Sequence, residues 1–353
     1  MDSSGSIGPA NYIKSLNFIK NVIQDLEIGE NQTRVSLINY SSSASIVTNL
    51  TTVFNKTKLL EKVTGMVYLM GSTNTQDALR LANDVVLQES NGMRPIEKGV
   101  SKVVIVITDG GSNVSPTLTI PNANKIKARG FSVVSVGIGS GINQAELNGM
   151  ASNKDDVYNV DNYDKVFEIV EGLIKTACEQ PAQLVIEKPI EGVVSQNSYR
   201  YYQIPFNNET IALFNETEDS FSFSIGVTNK FGSTKLYASF EESNPKDPND
   251  FLASTNSIAN LNGSYIEQRR ISTVAKSNNE TVEVVVYPQT IYQITRPVNG
   301  TVLYVSIKGL NEKNEFEVFI YNRLIPMNSS NSLTTISLFK LLVSSIIFAL
   351  LFF

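Results

Sequence analysis

The uninterrupted apolar run VVIVI at residues 103–107 limits the fold more than any other part of this chain. A strand with one solvent-exposed face alternates apolar and polar residues, whereas an unbroken run of β-branched residues is typical of a parallel strand covered on both faces. The segment FSVVSVGIG at residues 131–139 repeats this pattern after a predicted helix at 122–129. Strands that alternate with helices predict a doubly wound, Rossmann-like α/β fold with a parallel sheet.

The other elements of this α/β domain come from the rest of residues 1–178. Apolar residues at helical spacing after Gly8-Pro9 predict a helix over 12–26. We further predict strands at 34–40 and 45–50 and helices at 75–88 and 144–151. A last predicted helix carries seven residues on its buried face: Tyr163, Val166, Phe167, Val170, Leu173, Ile174 and Ala177.

Helical spacing disappears after Cys178, and short alternating segments separated by turn clusters take over. They are SYRYYQIPF, TIALFNE, SFSFSIGV, TKLYASFE, ETVEVVVYP, TIYQITR, TVLYVSIKGL and NEFEVFIYN. Such a series predicts an all-β antiparallel sandwich or jelly roll over residues 182–327. The segments KLYASFEESNPKDPND and LYVSIKGLNEKNEFEVFIY loosely resemble β-sandwich modules found C-terminal to secreted peptidases.

The chain contains no histidine and a single cysteine, Cys178. This composition excludes Ser-His-Asp and Cys-His nucleophile systems, histidine-ligated zinc and any disulfide between two residues of this chain. A bound metal must therefore be held by oxygen atoms, which favours Mg²⁺, Ca²⁺ or Mn²⁺. A net charge of -5 without a basic run argues against nucleic acid as a partner.

Three segments place oxygen-bearing residues where the strands of such a sheet end. The run DSSGS provides Asp2, Ser4 and Ser6, the segment GSTNTQDAL provides Thr73, and Asp109 directly follows VVIVIT. Ligands of doubly wound sheets bind at the carboxyl ends of the strands. The alternative is that these residues only cap helices and turns, but Asp2 and Asp109 would then face one another unneutralised.

Together these motifs resemble the von Willebrand factor type A domain and its metal-ion-dependent adhesion site, over residues 1–178. The closing segment QAELNGMASNKDDVYNVDNYDKVFEIVEGLIKTAC is similar to that of matrilin, collagen-associated and integrin-type members. The resemblance implies Mg²⁺, or Ca²⁺ or Mn²⁺, held by five residues: Asp2, Ser4, Ser6, Thr73 and Asp109. It also implies one coordination position that a partner's Glu or Asp can fill.

The sequence departs from that family in two respects. The apolar first strand that leads into the D-x-S-x-S run is reduced to Met1. Related members also pair a cysteine at the position of Cys178 with one ahead of that strand. We therefore expect Cys178 to be half of a disulfide, and the sequence to be truncated at its N-terminus. The alternative for Cys178 is a free, buried thiol at a helix end.

An enzymatic function is not expected. Bound Mg²⁺ can activate water, but the sequence places no general base beside it. There is also no phosphate-binding loop of the G-x-x-x-x-G-K type, and GIGSG at 137–141 is interpreted as a turn.

The C-terminal segment 328–353 ends in the apolar run LFKLLVSSIIFALLFF without a basic flank after it. The run is short for a membrane span, which needs about 20 residues. Small residues followed by a polar spacer and an apolar tail are typical of a glycosylphosphatidylinositol signal, with Asn328, Ser329 and Ser330 as attachment candidates. A short tail-anchored helix is the alternative.

The sequon N-x-S/T recurs along the chain, as expected of a glycosylated surface in the secretory pathway. Nine asparagines are glycosylation candidates: Asn31, Asn39, Asn49, Asn55, Asn208, Asn215, Asn262, Asn279 and Asn299.

These observations predict an adhesion or recognition protein on the extracellular face of the plasma membrane. Its type A domain would bind an extracellular matrix or cell-surface protein through Mg²⁺ and an acidic side chain of that partner. Two alternatives stay open, namely a structural component secreted into the matrix and an accessory subunit of a membrane complex.

Overall fold

The computed structural model describes residues 1–214, 221–246, 263–264, 274–277, 280–283, 289–296 and 301–325. The predicted anchor segment 328–353 and the candidate sequons at Asn215, Asn262, Asn279 and Asn299 lie outside these ranges. No helix in the described part of the chain has the length and apolar character needed to cross a bilayer.

The N-terminal half alternates helices and strands, as predicted. Its helices are α1 (Pro9–Gln24), α2 (Lys56–Thr64), α3 (Thr75–Leu81), α4 (Thr119–Ala128), α5 (Gln144–Met150) and α6 (Val170–Glu179). Its strands are β1 (Leu37–Tyr40), β2 (Ala44–Thr48), β3 (Val103–Thr108), β4 (Ser132–Ile138) and β5 (Val157–Val160). Strands β3, β4 and β5 form a parallel sheet in that order, while β1 and β2 form an antiparallel hairpin.

Strand β4 is buried over its whole length because helices cover both faces of the sheet. Its Val134 packs in a cluster with Leu16 of α1 and Leu173 of α6. The next residue toward the N-terminus, Val133, packs in a second cluster with Ile126 of α4 and Met150 of α5. Successive side chains of a strand point to opposite faces, and so these two clusters are the two layers of a doubly wound fold. The predicted fold class is confirmed.

Residues 1–3 lie between β1 and β3 and join the hairpin to the parallel sheet. The backbone N–H of Asp2 donates to the carbonyl of Ile107 at 2.9 Å, and the N–H of Ser3 donates to the carbonyl of Tyr40 at 2.7 Å. The N–H of Tyr40 in turn donates to the carbonyl of Met1 at 3.1 Å. Asp2 therefore stands at the carboxyl end of the sheet, level with the end of β3.

The prediction for the last helix is wrong in two respects. The α-helix begins at Val170, so Tyr163 lies ahead of it in a turn. Phe167, expected on the buried face, is 40% exposed. Residues Val166–Ile169 form a 3₁₀ turn ahead of α6. Its three-residue repeat places Val166 and Ile169 against the core instead of Phe167.

The described part of the C-terminal half is rich in strands and contains one short helix, α7 (Asn208–Ala212). Its described strands are β6 (Ala182–Gln183), β7 (Ile190–Ser195), β8 (Tyr199–Pro205), β9 (Phe221–Phe231), β10 (Thr234–Ser239), β11 (Gly263–Ser264), β12 (Val274–Ser277), β13 (Glu280–Glu283), β14 (Gln289–Arg296), β15 (Val302–Gly309) and β16 (Lys313–Tyr321). The two larger sheets have the orders β10-β15-β8-β6 and β11-β14-β9-β16-β7, and β12 and β13 pair in a separate two-stranded sheet. Nearly all pairs are antiparallel, with β6–β8 parallel.

Both sheets contribute to one apolar core, which makes the arrangement a sandwich. Ile204 and Val305 of the first sheet share this core with Phe223 and Val318 of the second. The segment TIALFNE was predicted as a strand, but its first three residues belong to α7. The reason is local, since the Asn207 side chain accepts the N–H of Thr210 at 2.8 Å and caps the helix.

Candidate metal centre

Asp2 is almost fully buried, and both of its carboxylate oxygens accept hydrogen bonds. Its Oδ1 accepts the backbone N–H of Ser4 at 2.8 Å, and its Oδ2 accepts the hydroxyl of Thr108 at 2.7 Å. These two bonds fix the orientation of the carboxylate and give each of its buried oxygens a hydrogen-bond donor in place of water.

Three of the other predicted residues form a continuous row of oxygen atoms. The hydroxyl oxygens of Ser4 and Ser6 lie 3.1 Å apart, and the Ser6 hydroxyl donates to Oδ1 of Asp109 at 2.8 Å. Ser4 is buried, Asp109 is half-buried and Ser6 is exposed, and so the row runs from the sheet to the surface.

The charges of Asp2 and Asp109 act on one another. Burial raises the pKa of the Asp109 carboxyl, the hydrogen bond from Ser6 lowers it, and the negative charge of Asp2 raises it again. Neither carboxylate forms an ion pair with a basic side chain in the described part of the protein. A cation placed between them would relieve this repulsion.

Thr73 lies on a different loop, which is bound to the loop that follows Asp109. Its N–H donates to Oδ1 of Asn113 at 2.9 Å, and its carbonyl accepts the N–H of Asn113 at 2.9 Å and the hydroxyl of Ser112 at 3.2 Å. The structure thus links Asp2, Ser4, Ser6 and Asp109 through direct contacts. It links Thr73 to them through Ser112 and Asn113, and among the described residues the Thr73 hydroxyl forms no hydrogen bond.

The five predicted ligands comprise two carboxylates and three hydroxyls. No cluster of three or more His, Cys, Asp or Glu side chains suited to a metal occurs in the described ranges. Hydroxyl and carboxylate oxygens are donors for hard divalent ions, and the two carboxylates balance the charge of one such ion.

A sequence model of the von Willebrand factor type A domain matches residues 1–172. These residues form a von Willebrand factor type A domain.

Several known proteins are similar to this type A domain. Matrilin-3 of Gallus gallus is 32% identical over 180 residues, which are 50% of this chain and 39% of the relative. Matrilin-1 of Bos taurus is 34% identical over 176 residues, which are 50% of this chain and 31% of the relative. The collagen alpha-5(VI) chain of Homo sapiens is 29% identical over 184 residues, covering 52% of this chain and 7% of the relative. The chain thus spans well under half the length of these curated relatives.

Two solved structures also share similarity with the chain. Proximal thread matrix protein 1 from the mussel byssus gives a TM-score of 0.48 at 23% identity and covers 56% of this chain and 48% of its own. One structure of that protein has a zinc-occupied MIDAS motif. Manganese-loaded Plasmodium vivax TRAP protein gives a TM-score of 0.41 at 22% identity and covers 49% of this chain and 70% of its own.

Residues that the sequence did not single out hold the loops of the type A domain in place. Thr108 binds Asp2, and Asn113 binds Thr73 through both its side chain and its backbone. Glu146 of α5 is 7% exposed, and its carboxylate accepts the N–H of Ser112 at 2.9 Å. Burial raises the pKa of Glu146, and the bond from Ser112 lowers it. The sequence signal at Glu146, N-x-x-E at 143–146, indicates only a helix start.

Tyr68 fixes the turn that carries the serines. Its hydroxyl donates to the carbonyls of Ser4 and Gly5 at 3.1 and 3.2 Å and accepts the N–H of Gly8 at 2.9 Å. Its ring lies 5.1 Å from that of Tyr12, centroid to centroid. The DSSGS segment is therefore held by bonds to the backbone and is not a free loop.

Cys178 lies near the end of α6 and is exposed. The alternative of a buried thiol is therefore wrong, because the end of α6 does not pack Cys178 into the core. Burial of part of the side chain and the charge of Glu179 raise the pKa of the thiol. The disulfide with a cysteine outside this sequence stays a prediction.

The described sequons differ in accessibility. Asn31, Asn55 and Asn208 are exposed, and Asn49 is half-buried. Asn39 is 4% exposed, and its Nδ2 donates to the carbonyl of Val67 at 2.8 Å. The prediction for Asn39 is therefore corrected, since the folded domain has no room for a glycan on this amide.

The hydrogen bond from Thr108 to Asp2 predicts a measurable loss of stability. Thr108→Val keeps the shape of the side chain but leaves Oδ2 of a buried carboxylate without its donor, which costs about 1–3 kcal/mol. The matched control is Thr119→Val, because the hydroxyl of Thr119 is equally buried and has no partner. Urea unfolding in EDTA should show the loss for Thr108→Val alone, and equal effects of the two changes would contradict this structure of the site.

Proposed function

We propose that the type A domain binds one divalent cation through Asp2, Ser4, Ser6, Thr73 and Asp109, and that the cation captures an acidic side chain of a protein ligand. The observation that carries the proposal is the pair of buried or half-buried carboxylates, Asp2 and Asp109, neither of which forms an ion pair with a basic side chain among the described residues. They flank a row of hydroxyl oxygens that reaches the surface at Ser6.

The donors favour Mg²⁺, with Ca²⁺ or Mn²⁺ as alternatives. Two carboxylates neutralise the charge of a divalent ion, while the hydroxyls add oxygen atoms without further charge. No excess negative charge surrounds such an ion, and so it can still bind a third carboxylate. Mg²⁺ requires octahedral coordination, which protein ligands rarely complete. The partner's Glu or Asp supplies the remaining oxygen.

The proposed setting is the extracellular matrix. Similarity to matrilins and to a collagen VI chain supports a matrix component over a cell-surface receptor. The lipid or tail anchor expected at 328–353 lies outside the described residues and adds nothing to this choice. The proposed activity is binding and not catalysis, because the sequence supplies no histidine and places no general base beside the proposed metal ligands.

Metal-dependent stability tests the proposed cation site. A cation that binds only the folded domain stabilises it by about 2.7 kcal/mol at a concentration of 100 Kd. We expect unfolding of the wild-type chain to shift to higher urea on addition of Mg²⁺ or Mn²⁺, and Asp109→Asn to abolish the shift. Asp161→Asn is the matched control, since Asp161 is an exposed aspartate of the same domain. An equal shift for all three proteins would rule out the site.

Glu146 should tune the affinity of the site without contacting the ion. Its bond to Ser112 supports the Thr73 carbonyl through the Ser112 hydroxyl, and groups that orient metal ligands typically change affinity by about 10–100-fold. Glu146→Ala is expected to weaken Mn²⁺ binding by about tenfold in isothermal titration. Glu146→Gln retains an oxygen acceptor for the Ser112 N–H and should bind nearly as tightly as wild type. Unchanged affinity in Glu146→Ala would show that this bond has no influence on the site.

A further inference from the structure

Three large apolar side chains are exposed on the loop that runs beside the proposed cation site. Val67 is 67% exposed, Leu69 is 45% exposed and Met70 is 67% exposed. No other stretch of four residues within the described ranges exposes three large apolar side chains. We call Val67, Leu69 and Met70 the apolar rim. Clustered exposed apolar groups mark surfaces that other proteins cover.

The apolar rim is held directly against the segment that supplies Ser4 and Ser6. The N–H of Leu69 donates to the Ser3 hydroxyl at 2.8 Å, and the N–H of Met70 donates to the Ser3 carbonyl at 3.0 Å. One residue further, the N–H of Gly5 donates to the carbonyl of Gly71 at 2.8 Å. The rim is therefore fixed within one or two residues of the proposed ligands of the cation.

The backbone of the rim is itself unusual. Met70 has a φ of 61°, in the left-handed region that residues other than glycine rarely adopt. Such a conformation persists only where surrounding contacts impose it, and it is concentrated at binding sites. Here the bonds from Leu69 and Met70 to Ser3 impose it, and the result is an outward methionine. Methionine is flexible and polarizable, which suits a surface that packs against a partner.

We propose that the apolar rim selects protein ligands in which the cation-binding Glu or Asp has a large apolar neighbour. This inference rests on the proposed function, because the ligand's carboxylate is placed by the cation. The segment 66–71 contains no charged residue, and so it complements apolar and not charged neighbours of that carboxylate. Adjacent residues of a ligand have Cα atoms about 3.8 Å apart. The side chain next to the captured carboxylate therefore lies close to the segment that supplies Ser4 and Ser6, against which the rim is bonded.

The test uses defined peptides in place of the unidentified partner. Three synthetic peptides are displayed at high density on a sensor surface, with the central sequences Leu-Glu-Leu, Ser-Glu-Ser and Leu-Gln-Leu in a Gly-Ser background. The full chain is passed over them in Mg²⁺ and then in EDTA. We expect binding to the Leu-Glu-Leu peptide to be about tenfold tighter than to Ser-Glu-Ser, equivalent to about 1.4 kcal/mol. Leu-Gln-Leu should not bind, and EDTA should release the chain.

A rim variant separates selectivity from metal binding. Leu69→Ser combined with Met70→Asn removes two apolar side chains, and asparagine tolerates the left-handed conformation at position 70. This variant should keep its Mn²⁺ affinity and its unfolding midpoint, but bind Leu-Glu-Leu no better than Ser-Glu-Ser. Val193→Ser, at an exposed apolar residue of the C-terminal half, is the control and should behave as wild type.

The outcomes distinguish the two proposals. A wild-type chain that binds Mn²⁺ but binds the two Glu peptides equally overturns the role of the apolar rim and leaves the cation site standing. A rim variant with undiminished preference for Leu-Glu-Leu overturns it as well. A wild-type chain that binds Mn²⁺ but neither Glu peptide contradicts the capture of a carboxylate, and with it the proposed function. Failure of the wild-type chain to bind Mn²⁺, or peptide binding that survives EDTA, counts against the proposed function itself.

Discussion

The repulsion between the carboxylates of Asp2 and Asp109 is the interaction on which the rest of this site depends. The fold places Asp2 beside the carboxyl end of β3 and Asp109 directly after that strand, with no basic side chain paired to either in the described residues. Like charges in a partly buried setting destabilise the fold unless hydrogen bonds and a counter-ion offset the repulsion. The bonds to Asp2 from Ser4 and Thr108, and to Asp109 from Ser6, supply part of this compensation. A divalent cation supplies the remainder in the function proposed here.

The support for the site extends over several elements of the domain. Asp2 is held between β1 and β3 by backbone pairing, and the turn after it is held by the Tyr68 hydroxyl. The Thr73 loop is bound to the loop after Asp109, and that loop is bound to α5 through Glu146. The fold thus fixes the side chains of Asp2, Ser6 and Asp109 and the backbone of Thr73 before any ion binds. Such preorganisation lowers the cost of binding an ion or a partner.

The sequence predicts the α/β fold well because strands buried on both faces require unbroken apolar runs, which can be recognised in the sequence. The apolar runs at β3 and β4 can be covered only by helices on both faces, and the observed sheet has this arrangement. The sequence also indicates a metal site, because the strand topology brings the loops after the strands together and these loops contain serine, threonine and aspartate. It does not predict Thr108 or Glu146 as supporting residues, because their bonds join segments far apart in sequence. Phe167 and α7 differ from prediction for local reasons, namely a 3₁₀ turn and the Asn207 cap.

The position of a bound cation decides whether Asp2 and Asp109 share one ion. Crystals of the protein grown with Mn²⁺ and measured at the manganese absorption edge would show the ion by its anomalous scattering. We expect one strong peak within about 2–2.5 Å of the hydroxyl oxygens of Ser4 and Ser6, with Asp109 and Asp2 binding the ion directly or through water. A fully occupied peak elsewhere, with none between Asp2 and Asp109 at saturating Mn²⁺, would contradict this arrangement.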